Sequence, residues 1–209
     1  MTKLVIISDT HTLHDGISLP SGDILLHCGD FTMRGTEKEY IKFNTWLGKL
    51  HFKHIVVIPG NHDFLSEENT SLARSLITNA QMLIHESTKV EGLNIFGSPW
   101  TPWFHDWAFN YNADQAHSLW GQIPYGTDVV MTHGPVHGLL DLVLREPRQH
   151  VGCPVLGRIL THIKPKVHAC GHIHEGYGTM TDYSGLLHVN ASLLDHRYDV
   201  KNPPIEIEL

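Results

Sequence analysis

The sequence predicts an α/β fold: two mixed β-sheets packed face to face with helices outside, a four-layer α/β/β/α sandwich. Three observations carry this expectation. Short, continuous apolar runs rich in β-branched residues recur at 4–7, 23–27, 54–58, 128–131 and 167–170, and such runs read as strands buried on both faces. Between several of them lie segments with apolar residues at helical spacing, as right-handed parallel crossovers require. Five polar clusters follow these five runs, and in open α/β sheets ligands collect beyond the carboxyl ends of strands.

Taken in order, Leu4–Ile7 is the first strand and Asp23–His27 the second. From Thr36 to Leu50, the residues Tyr40, Ile41, Phe43, Trp46, Leu47 and Leu50 fall on a helical period. Thr36 with Glu39 three residues on is a capping-box signature for its start. His54–Ile58 then completes a strand–helix–strand unit. Asn69–Thr78 reads as a helix, and Met82–Ile84, Thr88–Val90 and Leu93–Phe96 as short strands of a second, more antiparallel sheet. Ala113–Trp120 is helix-like, Asp128–Met131 is a strand, and Val155–Ile163 is a helix with its apolar stripe at 155, 156, 159, 160 and 163. Val167–Cys170 is a further buried strand, Gly176–Thr181 and Leu186–Val189 are antiparallel strands, and Ile205–Ile207 is an edge strand. With no internal repeat, low-complexity tract or linker, residues 1–209 read as one domain.

Composition narrows the function classes. A chain of 209 residues with 41% hydrophobic content can bury one substantial core. Its net charge of -7, only 15 Lys plus Arg, and lack of a basic run argue against tight binding of long nucleic acid. A small anionic substrate is still accommodated where bound divalent cations reverse the local field. No apolar run approaches the roughly 20 residues needed to span a bilayer, and the N-terminal run is too short for a signal peptide, so cytoplasmic residence is expected. Cys28, Cys153 and Cys170 are widely spaced and read as small apolar residues in a reduced interior, not as a disulfide frame or zinc knuckle. The anomaly is a count of 18 histidines.

The five clusters are Asp9 and His11 in S-D-T-H, Asp30 in C-G-D, Asn61 in P-G-N-H-D, His133 in T-H-G, and His172 and His174 in G-H-I-H. Asp9 with His11, and His172 with His174, are i, i+2 pairs that on extended backbone point to one side and can chelate an ion. Seven ligand-type groups are too many for a single ion; two adjacent ions sharing a carboxylate, with Asp30 the natural bridge, is the economical reading. Nitrogen and oxygen donors without thiolate favour Mn, Fe or Zn in such a site. Two ions about 3.5–4 Å apart suit hydrolysis of a phosphate ester by a hydroxide held between them. His62, beside Asn61, is then placed to reach substrate instead of metal, with Asp63 oriented to support its imidazole. Taken singly, a strand-end Asp is a turn former and a lone His is core or surface; the ordered set of five is what carries the inference.

That set, D-T-H, G-D, G-N-H-D, H-G and G-H-I-H, resembles the calcineurin-like metallophosphoesterase superfamily from Asp9 to His174. More narrowly, G-D-F-T, F-N-T-W-L-G, W-T-P-W-F-H-D-W-A-F-N, T-H-G-P, G-H-I-H-E-G-Y-G and N-A-S are similar to the small metallophosphoesterase-domain-containing proteins related to class III cyclic-nucleotide phosphodiesterases. The resemblance implies that Asp9, His11, Asp30 and His174 hold one metal, that Asp30, Asn61, His133 and His172 hold the other, and that His62 is the catalytic histidine. It implies a phosphodiesterase acting on a small phosphate ester, with cyclic nucleotides among the candidates. Some relatives in the narrower group carry Gly or Arg in the last H-x-H and are catalytically weak, whereas this chain keeps both histidines. Asp63 follows the general superfamily pattern where Glu is common in the narrower group.

The alternative from another class is a non-catalytic metal- or nucleotide-binding scaffold or sensor using the same pocket. Gly29–Gly35 partly resembles the phosphate-binding G-D-x-x-D-R-G segment of protein phosphatases, but with Met33 in place of the second Asp, Arg34 is favoured as a solvated loop residue. The aromatic stretch Trp100–Trp107 reads as core cover, a homodimer contact or a base-stacking surface.

Overall fold

Alternation along β1 (Lys3–Ile7) sets the layer order, because Leu4 and Ile6 enter one core while Val5 and Ile7 enter another, all fully buried. The computed structural model describes residues 1–209. The chain continues through β2 (Ile24–His27), α1 (Glu37–Leu47), β3 (His54–Val57), α2 (Phe64–Glu68), α3 (Thr70–Leu76) and β4 (Gln81–Met82). Next come β5 (Glu86–Val90), β6 (Leu93–Ser98), β7 (Thr101–Pro102), β8 (Asn110–Tyr111), α4 (Ala116–Trp120) and β9 (Val129–Thr132). The remainder is β10 (Leu142–Val143), β11 (Gln149–His150), α5 (Pro154–Ile163), β12 (Val167–Cys170), β13 (Gly178–Thr181), β14 (Leu187–Asn190) and β15 (Ile205–Glu208).

One sheet has the order β15-β1-β2-β3-β4, with only β15 antiparallel to its neighbour. The other has the order β13-β14-β12-β9-β6-β5, parallel in the interior and antiparallel at both edges. Leu4, Ile6, Leu26 and Val56 of the first sheet interlock with Ile95, Val129, Met131 and Val189 of the second. Val5, Ile7, Leu25 and Val57 turn outward to Tyr40, Phe43, Trp46 and Leu47 of α1 and Ala73 of α3. On the far side, Phe96 and Val130 pack under Trp120 of α4 and Leu156 and Leu160 of α5. The result is two mixed sheets between two helical layers, as expected. No helix is long and apolar enough to cross a membrane. The three cysteines are free and buried, as their spacing predicts.

Three expectations are corrected. The segment at Met82 belongs to the first sheet, not the second: β4 pairs parallel with β3, because the helical crossover through α2 and α3 returns the chain to the same layer. The second sheet is less antiparallel than the short strands suggest, since connections through α4 and α5 deliver β9 and β12 parallel to β6. Helix α1 stops at Leu47, with Gly48 as its C-cap, instead of reaching Leu50. Its start is as expected: Thr36 accepts from the Glu39 N–H, and Glu39 reaches back to the Thr36 N–H at 2.9 Å.

Candidate metal centre

β1, β2 and β3 run parallel in one sheet, β9 and β12 in the other, and the residues just beyond their carboxyl ends converge. The side chains of Asp9, His11 and His174 bring ligand atoms within 4.8 Å of one another, as do those of Asp30, His133 and His172. A third such group, His11, Asp30 and His62, joins the two. Asn61 completes the set, its Oδ1 lying 2.9 Å from His133 Nε2. All seven expected ligands and His62 therefore occupy one place. Asp30 is central: its Oδ2 stands 3.7 Å from His11 Nε2 and 3.4 Å from His133 Nε2, while Asp9 Oδ1 stands 3.5 Å from His174 Nε2. Two donors each about 2.1 Å from one ion stand about 3–3.5 Å apart, so these separations suit a shared ion.

Hydrogen bonds behind the rings determine which nitrogen faces the centre. His11 Nδ1 donates to the Thr32 carbonyl at 3.2 Å, His62 Nδ1 to Met33 at 2.9 Å, His133 Nδ1 to Cys28 at 2.8 Å and His174 Nδ1 to Asp195 at 2.9 Å. A carbonyl only accepts, so each Nδ1 carries a proton, and each Nε2 is the atom offered to an ion or substrate. His11 Nε2 is buried with no hydrogen-bond partner at all. A buried nitrogen left open in this way, beside the carboxylates of Asp9 and Asp30, fits a cation.

The backbone is bent to make this possible. Asp9, His11, Asp30 and His172 have φ of 55°, 37°, 55° and 68°. The left-handed region costs an ordinary residue about 1–2 kcal/mol, so four of the seven expected ligands sit on backbone that the local chain opposes. Close approach demands glycine nearby: a Cβ at Gly60 would collide with Asp30 Oδ1, and one at Gly171 with Ser8 and Asp9.

Charge is arranged to match. Burial opposes ionisation of Asp9 and Asp30, but the hydrogen bond and charge of His174 at Asp9, and those of His133 at Asp30, hold both carboxyls well below the usual range. Burial likewise lowers His133 and His174, yet Asp30 and Asp9 beside them prevail and push both up to about 9. Burial dominates at His11 and His172, which fall to about 4 and about 3. The centre thus holds two anions that recruit positive charge from whichever neighbour can supply it.

The expected role of Asp63 is corrected. Its carboxylate does not touch the His62 ring. Oδ2 accepts from the Asp30 and Gly60 N–H groups at 2.9 and 2.7 Å, and Oδ1 accepts from the Thr32 N–H and hydroxyl at 2.9 and 2.6 Å. Asp63 therefore ties the Asp30 loop to the Asn61 loop, and the Met33 carbonyl orients His62. Burial and then the Asp30 charge push the Asp63 carboxyl up to about 7. Arg34 is exposed and forms no ion pair, as the solvated reading has it.

Several supports lie outside the five clusters. His27 accepts from the Gly29 N–H at 3.3 Å and contacts the Thr10 hydroxyl at 3.1 Å, bracing both carboxylate-bearing loops at once. Ser192 Oγ donates to Asp9 Oδ2 at 2.8 Å. Asn190 Nδ2 donates to the Ile173 carbonyl at 2.8 Å, fixing the G-H-I-H turn. The N-A-S triplet was the visible signal for the last two. The ring of Tyr198 (φ 66°) lies edge-on to His11 and His174, with centroids 4.9 and 5.1 Å away.

Comparison with known proteins now decides the family. A family profile described as calcineurin-like phosphoesterase matches residues 2–176. The chain belongs to the calcineurin-like phosphoesterase family. It is 41% identical to metallophosphoesterase domain-containing protein 1 of Homo sapiens, across 100% of this chain and 71% of that protein. A UPF0046 protein of Caenorhabditis elegans is 35% identical across 99% of this chain and 60% of its own length. Among solved structures, a protein of Thermus thermophilus superposes with a TM-score of 0.62 at 13% identity, covering 90% of this chain and 88% of that one, which supports the fold. Calcineurin-like phosphoesterases generally hold two divalent metals, and this member presents a donor set that fits them.

Proposed function

We propose that the protein is a two-metal phosphodiesterase acting on a small phosphate diester, with cyclic nucleotides among its candidate substrates. The observation that carries the reading is the convergence of Nε2 atoms, each fixed by an Nδ1–carbonyl bond, on the adjoining carboxylates of Asp9 and Asp30. In this reading Asp9, His11, Asp30 and His174 hold one ion, and Asp30, Asn61, His133 and His172 hold the other. Two such ions supply positive charge to the phosphoryl oxygens and acidify the attacking water.

The chain's own residues do the rest. His62 stands 4.6 Å from His11, ring centroid to centroid, with Nδ1 committed to Met33. In this reading it gives an Nε2 proton to the departing alcohol oxygen while water oxygen bonds to phosphorus and the old P–O bond breaks. Asp30 also accepts the His62 N–H through Oδ1 at 2.8 Å, so the residue shared by the ions sets the position of the acid. Asp63, Thr32 and His27 hold the loops that carry them.

The test is a panel of phosphomonoesters and diesters, bis-p-nitrophenyl phosphate and cyclic nucleotides included, against protein loaded with Mn, Fe, Zn, Ni or Mg. Turnover of diesters with two ions per chain is expected. Metal-loaded protein inert to every ester would overturn the reading and leave a scaffold or sensor.

A further inference from the structure

We propose that Trp107 is the platform for a flat ring on the leaving alcohol, so that the preferred substrates are diesters whose leaving group is nucleoside-like or aryl. This rests on the assignment of His62 as the acid. The rings form a row: Trp107 lies 4.3 Å from His62 at 34°, His62 lies 4.6 Å from His11, and Tyr198 lies 4.9 Å beyond His11. The two ends of the row therefore face different parts of a bound ester. Tyr198 covers His11 and His174, ligands of a single ion. Trp107 adjoins the residue that protonates the leaving oxygen, so whatever that oxygen carries meets Trp107 first.

Trp107 is held in place for such a role. It sits on the strap from Thr101 to Asn110, whose ends pair as β7 and β8. The next two residues anchor it to the loop and helix following β3: the Ala108 N–H donates to the Asn61 carbonyl at 3.3 Å, and the Phe109 N–H to Glu67 at 2.9 Å. Its indole also touches Phe64, 5.7 Å between centroids, and remains half-buried with surface to offer. Trp103 and Phe104 on the same strap are 62% and 57% exposed, but neither packs on a residue of the centre, which singles out Trp107. A large ring whose following residues are tied down, and which already rests on Phe64, can stack on a flat partner at little cost in conformational entropy.

The experiment compares the binding of phosphonates and phosphomonoesters to Mn-loaded protein by calorimetry, with the monoesters checked to be intact after the titration. Phenylphosphonate against methylphosphonate isolates an aryl ring; adenosine 5′-monophosphate against ribose 5-phosphate isolates a nucleobase. Stacking on an aromatic side chain predicts a preference for the ring-bearing partner of about 5- to 100-fold in at least one pair. Trp107→Phe should keep most of that preference, and Trp107→Ala should bring it near unity while methylphosphonate still binds. Preference in the second pair identifies a nucleoside, and preference in the first alone an aryl group. An unchanged ratio in Trp107→Ala, or equal weakening of both members of a pair, would overturn the platform and leave the phosphodiesterase reading intact. Failure of every phosphonate and phosphate to bind metal-loaded protein would overturn both.

Discussion

Two groups of buried or half-buried histidines lie in this molecule, and what stands behind each ring separates them. At the ends of the sheets, His11, His62, His133 and His174 each spend Nδ1 on a backbone carbonyl and leave Nε2 to the centre. Inside the second sheet, His168 on β12 and His188 on β14 bond to one another through their Nδ1 atoms at 3.0 Å, and their Nε2 atoms go to Thr132 and Asp182 at 2.8 and 3.3 Å. The second group is closed on itself. Burial and histidine count do not set the histidines of the centre apart; an imidazole anchored through Nδ1 on a main-chain carbonyl, with Nε2 turned to the centre, separates these four from the interior pair.

The largest effect expected from breaking this contrast falls at Asp30. Asp30→Ala should lose both ions by elemental analysis and turn over nothing above background; two retained ions would remove the bridging role. Next comes His62→Ala, which should keep two ions and lose about 10²–10⁴-fold in turnover of bis-p-nitrophenyl phosphate. An ion lost along with His62 would reclassify it as a ligand, a reading that its grouping with His11 and Asp30 makes worth measuring. His27→Phe removes a brace shared by two loops and should weaken metal binding about ten- to a hundredfold while leaving two sites titratable.

The interior pair should respond differently. His188→Phe is expected to cost about 1–3 kcal/mol of stability by breaking the buried chain, with two ions still bound. Reduced metal stoichiometry there would erase the distinction between the groups. An effect confined to acid pH belongs to His14, packed against Phe43 and Trp46 with both ring nitrogens unpartnered. Burial lowers it from 6.5 to about 4, so the unfolded chain takes up the proton first. Stability therefore falls as pH drops from about 6.5 to about 4, and His14→Leu should flatten that part of a denaturation-versus-pH curve.

The strand ends and the residues upon them were legible because five apolar runs each precede a polar cluster, and a parallel sheet gathers such ends. The direction of a side chain was not. Asp63 adjoins His62 in sequence, yet its oxygens turn to the N–H groups of Asp30, Thr32 and Gly60, since sequence adjacency says nothing about which way a carboxylate points after a tight turn. The anchors of the imidazoles were invisible for another reason: they are main-chain carbonyls of Cys28, Thr32, Met33 and Asp195, a group every residue possesses. Sheet membership failed at Met82 because a two-residue strand is defined by its neighbour and not by its own sequence.

The pairing of Asp9 with His174 has a consequence for how the protein comes into being. One residue leaves the first strand of one sheet and the other leaves β12 of the second, so the chain must be synthesised through position 174 and the sheets must dock before the first group of ligands exists. A nascent chain carrying Asp9, His11, Asp30 and Asn61 alone holds no finished cation trap. An ion held by Asp9, His11 and His174 together would therefore report that both sheets have met.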